Sequence, residues 1–201
     1  STNFDPGGFA EYVRVPEINV DRGVFVLPDN MSLEDGTLIE PLACVVRGQR
    51  LARIEPGQTV VVIGSGISGL LHILLARASG AGKIIATDIS EYRMDMAGKL
   101  GADSVISAHD DLPSHLLKLN GNRLADRVIA TAGAVPALET ALKSVDRGGT
   151  VLFFAPGGPD VELHVPFNDF WRDCITLIPT YGASPIDIEV AIKLISSNRV
   201  P

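Results

Sequence analysis

Residues 60–69 read VVVIGSGISG, and Asp88 follows nineteen positions after the last glycine of that run. Val60, Val61, Val62 and Ile63 form an apolar run suited to a strand buried on both faces. Gly64, Gly66 and Gly69 follow with G-x-G-x-x-G spacing, and the amphipathic run LLHILLARAS comes next. Each glycine has a distinct task. Gly64 permits the tight turn out of the strand, Gly66 lets the backbone approach a pyrophosphate, and Gly69 lets the helix pack on the sheet. The N–H groups of Ile67 and Ser68, in the first helical turn, are free to meet phosphate oxygens.

The setting strengthens the motif. A second apolar strand, KIIAT (83–87), ends in Asp88. A carboxylate there accepts the two ribose hydroxyls of an adenosine and repels a 2′-phosphate, which favours NAD over NADP. Arg93, five residues on, tempers that preference, because a guanidinium receives a phosphate. The competing reading is a glycine turn with a helix-capping aspartate in some other α/β protein.

Downstream, apolar runs and amphipathic runs alternate. Strands are expected at 59–63, 83–87, 104–106, 127–131, 150–154 and 174–178. Helices are expected at 67–79, 91–100, near 111–119, at 136–145, near 166–173, and from Ser184-Pro185 onward. This predicts an α/β fold: a doubly wound, six-stranded parallel sheet with its ligand at the carboxyl ends of the strands. A further short strand is expected at 161–165. Upstream, FAEYVRV (9–15) and GVFVL (23–27) read as short strands. Ser32 caps a short helix from Leu33, and a longer helix covers 40–53 with Pro41 in its first turn.

Composition narrows the partners. The 201 residues are 46% hydrophobic and 20% charged, with a net charge of −7. With no basic cluster, nucleic acid and anionic membranes are disfavoured. The two cysteines, Cys44 and Cys174, form no C-x-x-C, so a reducing, cytoplasmic setting is expected. Cys174, ahead of an apolar strand, reads as core. No secretory signal opens the chain. The lack of an initiator methionine and the stop at Val200-Pro201 suggest a fragment or a processed product.

GGFAEYV (7–13), EPLACVVRG (40–48), PGQTVVVIGSGISGLL (56–71), the DIS-x-x-R sequence ending at Arg93, KLGAD (99–103) and YGASP (181–185) together resemble the zinc-containing medium-chain dehydrogenases. The resemblance is to the polyol branch, with the sorbitol/iditol and threonine dehydrogenases. It implies a Rossmann cofactor domain inserted in a GroES-like catalytic domain. Residues 1–45 would then be part of the catalytic domain, 46–183 the NAD-binding Rossmann domain, and 184–201 the return to the catalytic domain. It also implies that most zinc ligands and the structural zinc lobe lie outside this chain. On that reading the 201 residues bind cofactor and are inactive alone.

The resemblance places Glu40 as a zinc ligand, or beside one, in the intact protein. Against that stands a carboxylate that merely favours the positive end of its own helix. Cys44, one turn on, shares its face, which the resemblance turns toward the nicotinamide. Thr131-Ala132-Gly133 and Phe154-Ala155, after the fourth and fifth strands, are implied to contact the nicotinamide ribose or carboxamide through their backbones. His72, His109, His115 and His164 show no metal spacing, and no catalytic acid, base or nucleophile is assigned. The implied reaction is NAD-dependent oxidation of a secondary alcohol of a polyol, sugar or amino alcohol. Homo-oligomers are also implied, with strand 174–178 a candidate edge for pairing. Two alternatives stand beside it: a dinucleotide-binding module without turnover, and a methyltransferase sharing the glycine loop.

Overall fold

The computed structural model describes residues 8–200; Gly7, which opens the GGFAEYV segment, and Pro201 lie outside the described residues. In chain order the elements are α1 (Glu17–Gly23), α2 (Leu33–Gly36), α3 (Ile39–Leu51), β1 (Thr59–Ile63), α4 (Ile67–Ala78) and β2 (Lys83–Asp88). There follow α5 (Glu91–Lys99), β3 (Ser104–Ser107), α6 (Leu112–Leu119), β4 (Ala125–Ala130) and α7 (Val135–Lys143). The chain continues with β5 (Val145–Phe153), α8 (Phe167–Arg172), β6 (Thr176–Pro179) and α9 (Pro185–Ser196).

The six strands form one parallel sheet in the order β3-β2-β1-β4-β5-β6. This is the doubly wound α/β fold that the alternation predicts. Successive side chains of a strand point to opposite faces. Val61 and Ile63 therefore join Ile85, Val128, Val151 and Leu138 in one core layer. Val60 and Val62 join Ile73, Ala76, Ile84 and Leu152 in the other. A third cluster lies outside the second layer, where α3 packs against α4 and α9 through Leu42, Val45, Leu71, Leu75 and Ala191.

Several expectations fail for identifiable reasons. Residues 9–15 and 23–27 are not strands. Their alternation suits a pleat, but no neighbouring strand among the described residues offers a ladder, and Phe9, Tyr12, Ile18 and Val26 are exposed. Between them the chain forms α1, which buries none of its residues. Residues 161–165 are likewise not a strand, although Val161 and Leu163 pack on the core. Strand β6 starts at Thr176 rather than 174, because Cys174 adopts a left-handed backbone with φ of 54°. Cys174 is exposed rather than core. Ser32 does cap α2, its hydroxyl oxygen accepting the Asp35 N–H at 3.0 Å.

Candidate functional site

The register of the sheet dictates which residues share its carboxyl edge. Ile63 pairs with Thr87 and Ala130, Ala130 with Phe153, Phe153 with Pro179, and Asp88 with Ser107. One residue further along each strand, Ser107, Asp88, Gly64, Thr131, Phe154 and Thr180 form a row along this edge. The chain winds outward from β1 through β2 to β3, then restarts from β4 on the other flank. The crevice at such a switch point, here between the ends of β1 and β4, is where ligands bind in open α/β sheets.

A cavity of about 610 Å³ occupies that crevice. Six residues singled out from the sequence line it: Gly64, Gly66, Asp88, Arg93, Thr131 and Ala132. The glycine loop shows why its sequence is needed. Gly64 has φ of 94°, a left-handed conformation that strains other residues. A Cβ on Gly69 would lie 1.9 Å from the Gly64 carbonyl oxygen, so only glycine lets α4 approach the loop. Gly66 differs: its backbone is extended, and a Cβ there would meet nothing within 4 Å. The protein leaves open space in front of the α4 N-terminus, where the first-turn N–H groups have no helical partner. Ile67 is exposed there, Ser68 is half-buried and Gly69 is buried.

The neighbouring strands hold this loop. The Gly64 N–H donates to the Thr87 carbonyl at 2.9 Å. Thr131 Oγ1 donates to the Gly64 carbonyl at 2.7 Å. That hydroxyl is therefore committed to the loop, and the Thr131 N–H donates to the Ile63 carbonyl at 2.9 Å, which leaves only the Thr131 carbonyl to face a ligand. Asp88 is 5% exposed. Its Oδ2 accepts the Ser65 N–H at 2.7 Å, and its Oδ1 accepts the Ser90 N–H at 2.9 Å. The carboxylate thus ties the glycine loop to the end of β2 while still lining the cavity. Arg93 Nη1 lies 3.9 Å from Asp88 Oδ2 on the exposed rim.

The loops after β4 and β5 press together, since a Cβ on Gly133 would fall 2.0 Å from the Pro156 carbonyl oxygen. Beside them a second hollow of about 380 Å³ is lined by Phe154, Ala155, Pro156, Thr180 and Tyr181 among others. The Thr180 hydroxyl oxygen in its wall is buried without a hydrogen-bond partner. Phe154 and Ala155 thus line this second hollow rather than the first, whereas Gly133 lines neither and backs onto Pro156 in its wall.

Glu40 lies on neither hollow. It is exposed in the first turn of α3, and its Oε1 accepts a hydrogen bond from Cys44 Sγ at 3.2 Å. Burial, with Glu40 alongside, pushes the Cys44 thiol up to about 12, so it remains a protonated donor. A catalytic zinc takes three protein ligands and an open position. Among the described residues no three His, Cys, Asp or Glu side chains converge, so these residues alone do not fit that metal.

Other lining residues carry no local motif. Ala108, His109 and Asp110, after β3, border the cavity, as do Pro136 and Thr140 from α7. His109 carries no metal spacing, so its residue type alone does not announce this position. The signal that could have found these residues, and Thr180, is the rule that every strand's carboxyl end faces the ligand. His72 is fully buried inside α4, a packing residue.

A family model described as zinc-binding dehydrogenase matches residues 68–197. The sorbitol dehydrogenase of Bacillus subtilis is 34% identical over 163 residues, 80% of this chain and 45% of that protein. The solved galactitol-1-phosphate dehydrogenase of Escherichia coli is 30% identical, with a TM-score of 0.82 over 97% of this chain and 57% of that one. A Sinorhizobium meliloti chain assigned to the zinc-binding dehydrogenases, solved bound to NADP, aligns with a TM-score of 0.83. It covers 88% of this chain and 52% of its own, at 24% identity, a likeness of fold alone. The chain spans about half the length of these relatives.

Proposed function

The chain belongs to the zinc-binding dehydrogenase family, and on that premise we propose that its cleft holds NAD for hydride exchange with a secondary alcohol of a polyol, sugar or amino alcohol. The observation that carries this is the open space at Gly66, set between a committed glycine loop and the buried Asp88. The pyrophosphate lies over Gly66 against the N–H groups of Ile67 and Ser68. The adenosine ribose lies against Asp88, with Arg93 and His109 on the rim. The chain then runs toward the nicotinamide end past the backbones of Thr131, Ala132 and Gly133 to Phe154 and Ala155.

When bound, the cofactor supplies the ring that accepts hydride from the carbinol carbon. This chain's residues hold and orient it. Asp88 favours the unphosphorylated ribose, because a 2′-phosphate would face a buried carboxylate already fixed by two N–H donors. Residues 46–183 form the cofactor-binding unit, whereas 1–45 and 184–201 belong with a catalytic part completed by residues beyond this chain. Glu40 takes its place there, as a ligand of the family's metal or as the neighbour of one. The 201 residues on their own bind cofactor without turnover.

The test is an assay of the intact protein with zinc and either NAD or NADP across a panel of polyols, sugars and amino alcohols. NADH should form with at least one secondary alcohol, faster than NADPH. No reduction of either cofactor by any of them would contradict the proposal.

A further inference from the structure

Phe154 is the one residue of the carboxyl-edge row whose ring is gripped by two helices. His72 of α4 meets it in a T-shaped contact with ring centroids 4.6 Å apart. Gly48 of α3 stands beside both rings. A methyl group there would come within 3.1 Å of Leu152 Cδ2, 3.4 Å of Phe154 Cδ2 and 3.6 Å of His72 Cε1. A side chain at Gly48 would crowd Leu152 first and touch the Phe154 and His72 rings, so glycine lets α3 lie close beside this socket.

The socket itself is pinned. Gln49, next to Gly48 and buried, donates from Nε2 to the His72 carbonyl at 2.8 Å, and the same nitrogen lies 3.2 Å from His72 Nδ1. That makes Nδ1 the acceptor and leaves the ring proton on Nε2. Burial holds the imidazole neutral, lowering it to about 3. The pair ties α3 to α4 at the level of the Phe154 ring.

Immediately after the ring the backbone turns. The N–H groups of both Phe154 and Ala155 donate to the Ala130 carbonyl, at 3.0 and 3.1 Å. The next residue, Pro156, rests against Gly133. The ring's seat and these two bonds together set where Ala155 and Pro156 stand in the wall of the second hollow.

We propose that Phe154 is a positioning residue, a peg whose socket on α3 and α4 aligns the Ala155–Pro156 backbone with the nicotinamide end of the cofactor. The inference rests on the NAD reading above. It gives the Phe154 side chain a task of its own, acting through Ala155 rather than touching the ligand. It also joins the cofactor loop to α3, the helix that carries Glu40 and Cys44.

The test compares NADH with ADP-ribose, which lacks the nicotinamide ring, by calorimetry on the chain and on its Phe154→Leu and Gly48→Ala variants. Phe154→Leu removes the ring, whereas Gly48→Ala crowds the socket, pressing first on Leu152 beside the ring. Each should weaken NADH about tenfold and ADP-ribose less than about twofold. A general loss of structure would weaken both ligands alike, and that result, or no change in either, overturns the inference. If Gly48→Ala fails to fold, as seen by circular dichroism, Phe154→Leu alone decides. A parent chain that binds neither ligand overturns the cofactor reading and this inference with it. One that binds ADP-ribose as tightly as NADH overturns this inference alone.

Discussion

Gly66 and Gly69 sit three residues apart and answer to different constraints. Gly69 is required by the protein, since its Cβ would fall on the Gly64 carbonyl oxygen. Gly69→Ala should therefore cost about 3 kcal/mol or more in a urea melt. Gly66 is required by nothing in the protein, since its Cβ would meet open space. Gly66→Ala should leave stability within about 0.5 kcal/mol of the parent. Asp88 combines the two demands. Asp88→Ala strips acceptors from the Ser65 and Ser90 N–H groups and should cost about 2 kcal/mol as well as cofactor affinity. The glycine spacing and the aspartate were legible because each acts within its own turn. The second task of Asp88, tethering the loop at Ser65, was not, since it depends on how β2 stands beside β1.

His72 carries a pH prediction at the same scale. Burial lowers it from 6.5 to about 3 in the folded chain. Above pH 6.5 the folded and unfolded forms are both neutral, so the shift has no effect on stability. Below that, the unfolded chain takes up a proton that the folded one refuses. Stability should fall by about 1.4 kcal/mol per pH unit between pH 6.5 and pH 3. In His72→Leu this contribution to the slope of urea-melt stability against pH should vanish. An unchanged slope would mean that the imidazole is protonated in place.

Among the elements, α9 shows how the flank of the sheet is held. Asp187, fully buried near its start, accepts from the Ser184 N–H at 3.0 Å and the Ser184 hydroxyl at 2.6 Å. Arg50 of α3 donates to its other oxygen at 2.8 Å. Burial alone would raise this carboxyl, but the Ser184 hydrogen bonds and Arg50 hold it below the usual range. Asp187→Ala should cost about 2 kcal/mol, measured by urea unfolding, by uncapping α9 and releasing its tie to α3. The inner strands β1 and β2 could be read from sequence because two-sided burial writes continuous apolar runs into a parallel strand. FAEYVRV could not. Its alternation states a preference for a pleat, but a strand exists only where a second strand completes its ladder. The start of β6 was misplaced by the left-handed turn at Cys174, which nothing in the residue type announces.

At the scale of the molecule, the fold brings six strand ends to one edge, and what that edge presents depends on register between strands distant in sequence. Phe154, Thr180 and His109 join the site by this route, which is why local patterns pointed to the glycine loop and said less about its far walls. The edge is also lopsided. The Asp88 side is a cavity of about 610 Å³, and the Phe154 side a smaller hollow of about 380 Å³. A dinucleotide spanning both would place its adenosine in the first and its nicotinamide toward the second. On the proposed reading, the space in front of Gly66 belongs to a pyrophosphate. Calorimetric titration of NADH into the parent chain and into Gly66→Ala, both shown folded by their urea melts, tests it most directly. Binding to the parent should be saturable, and at least about tenfold weaker in Gly66→Ala at unchanged stability. Equal affinity in the two proteins, or no binding to the parent, would contradict it.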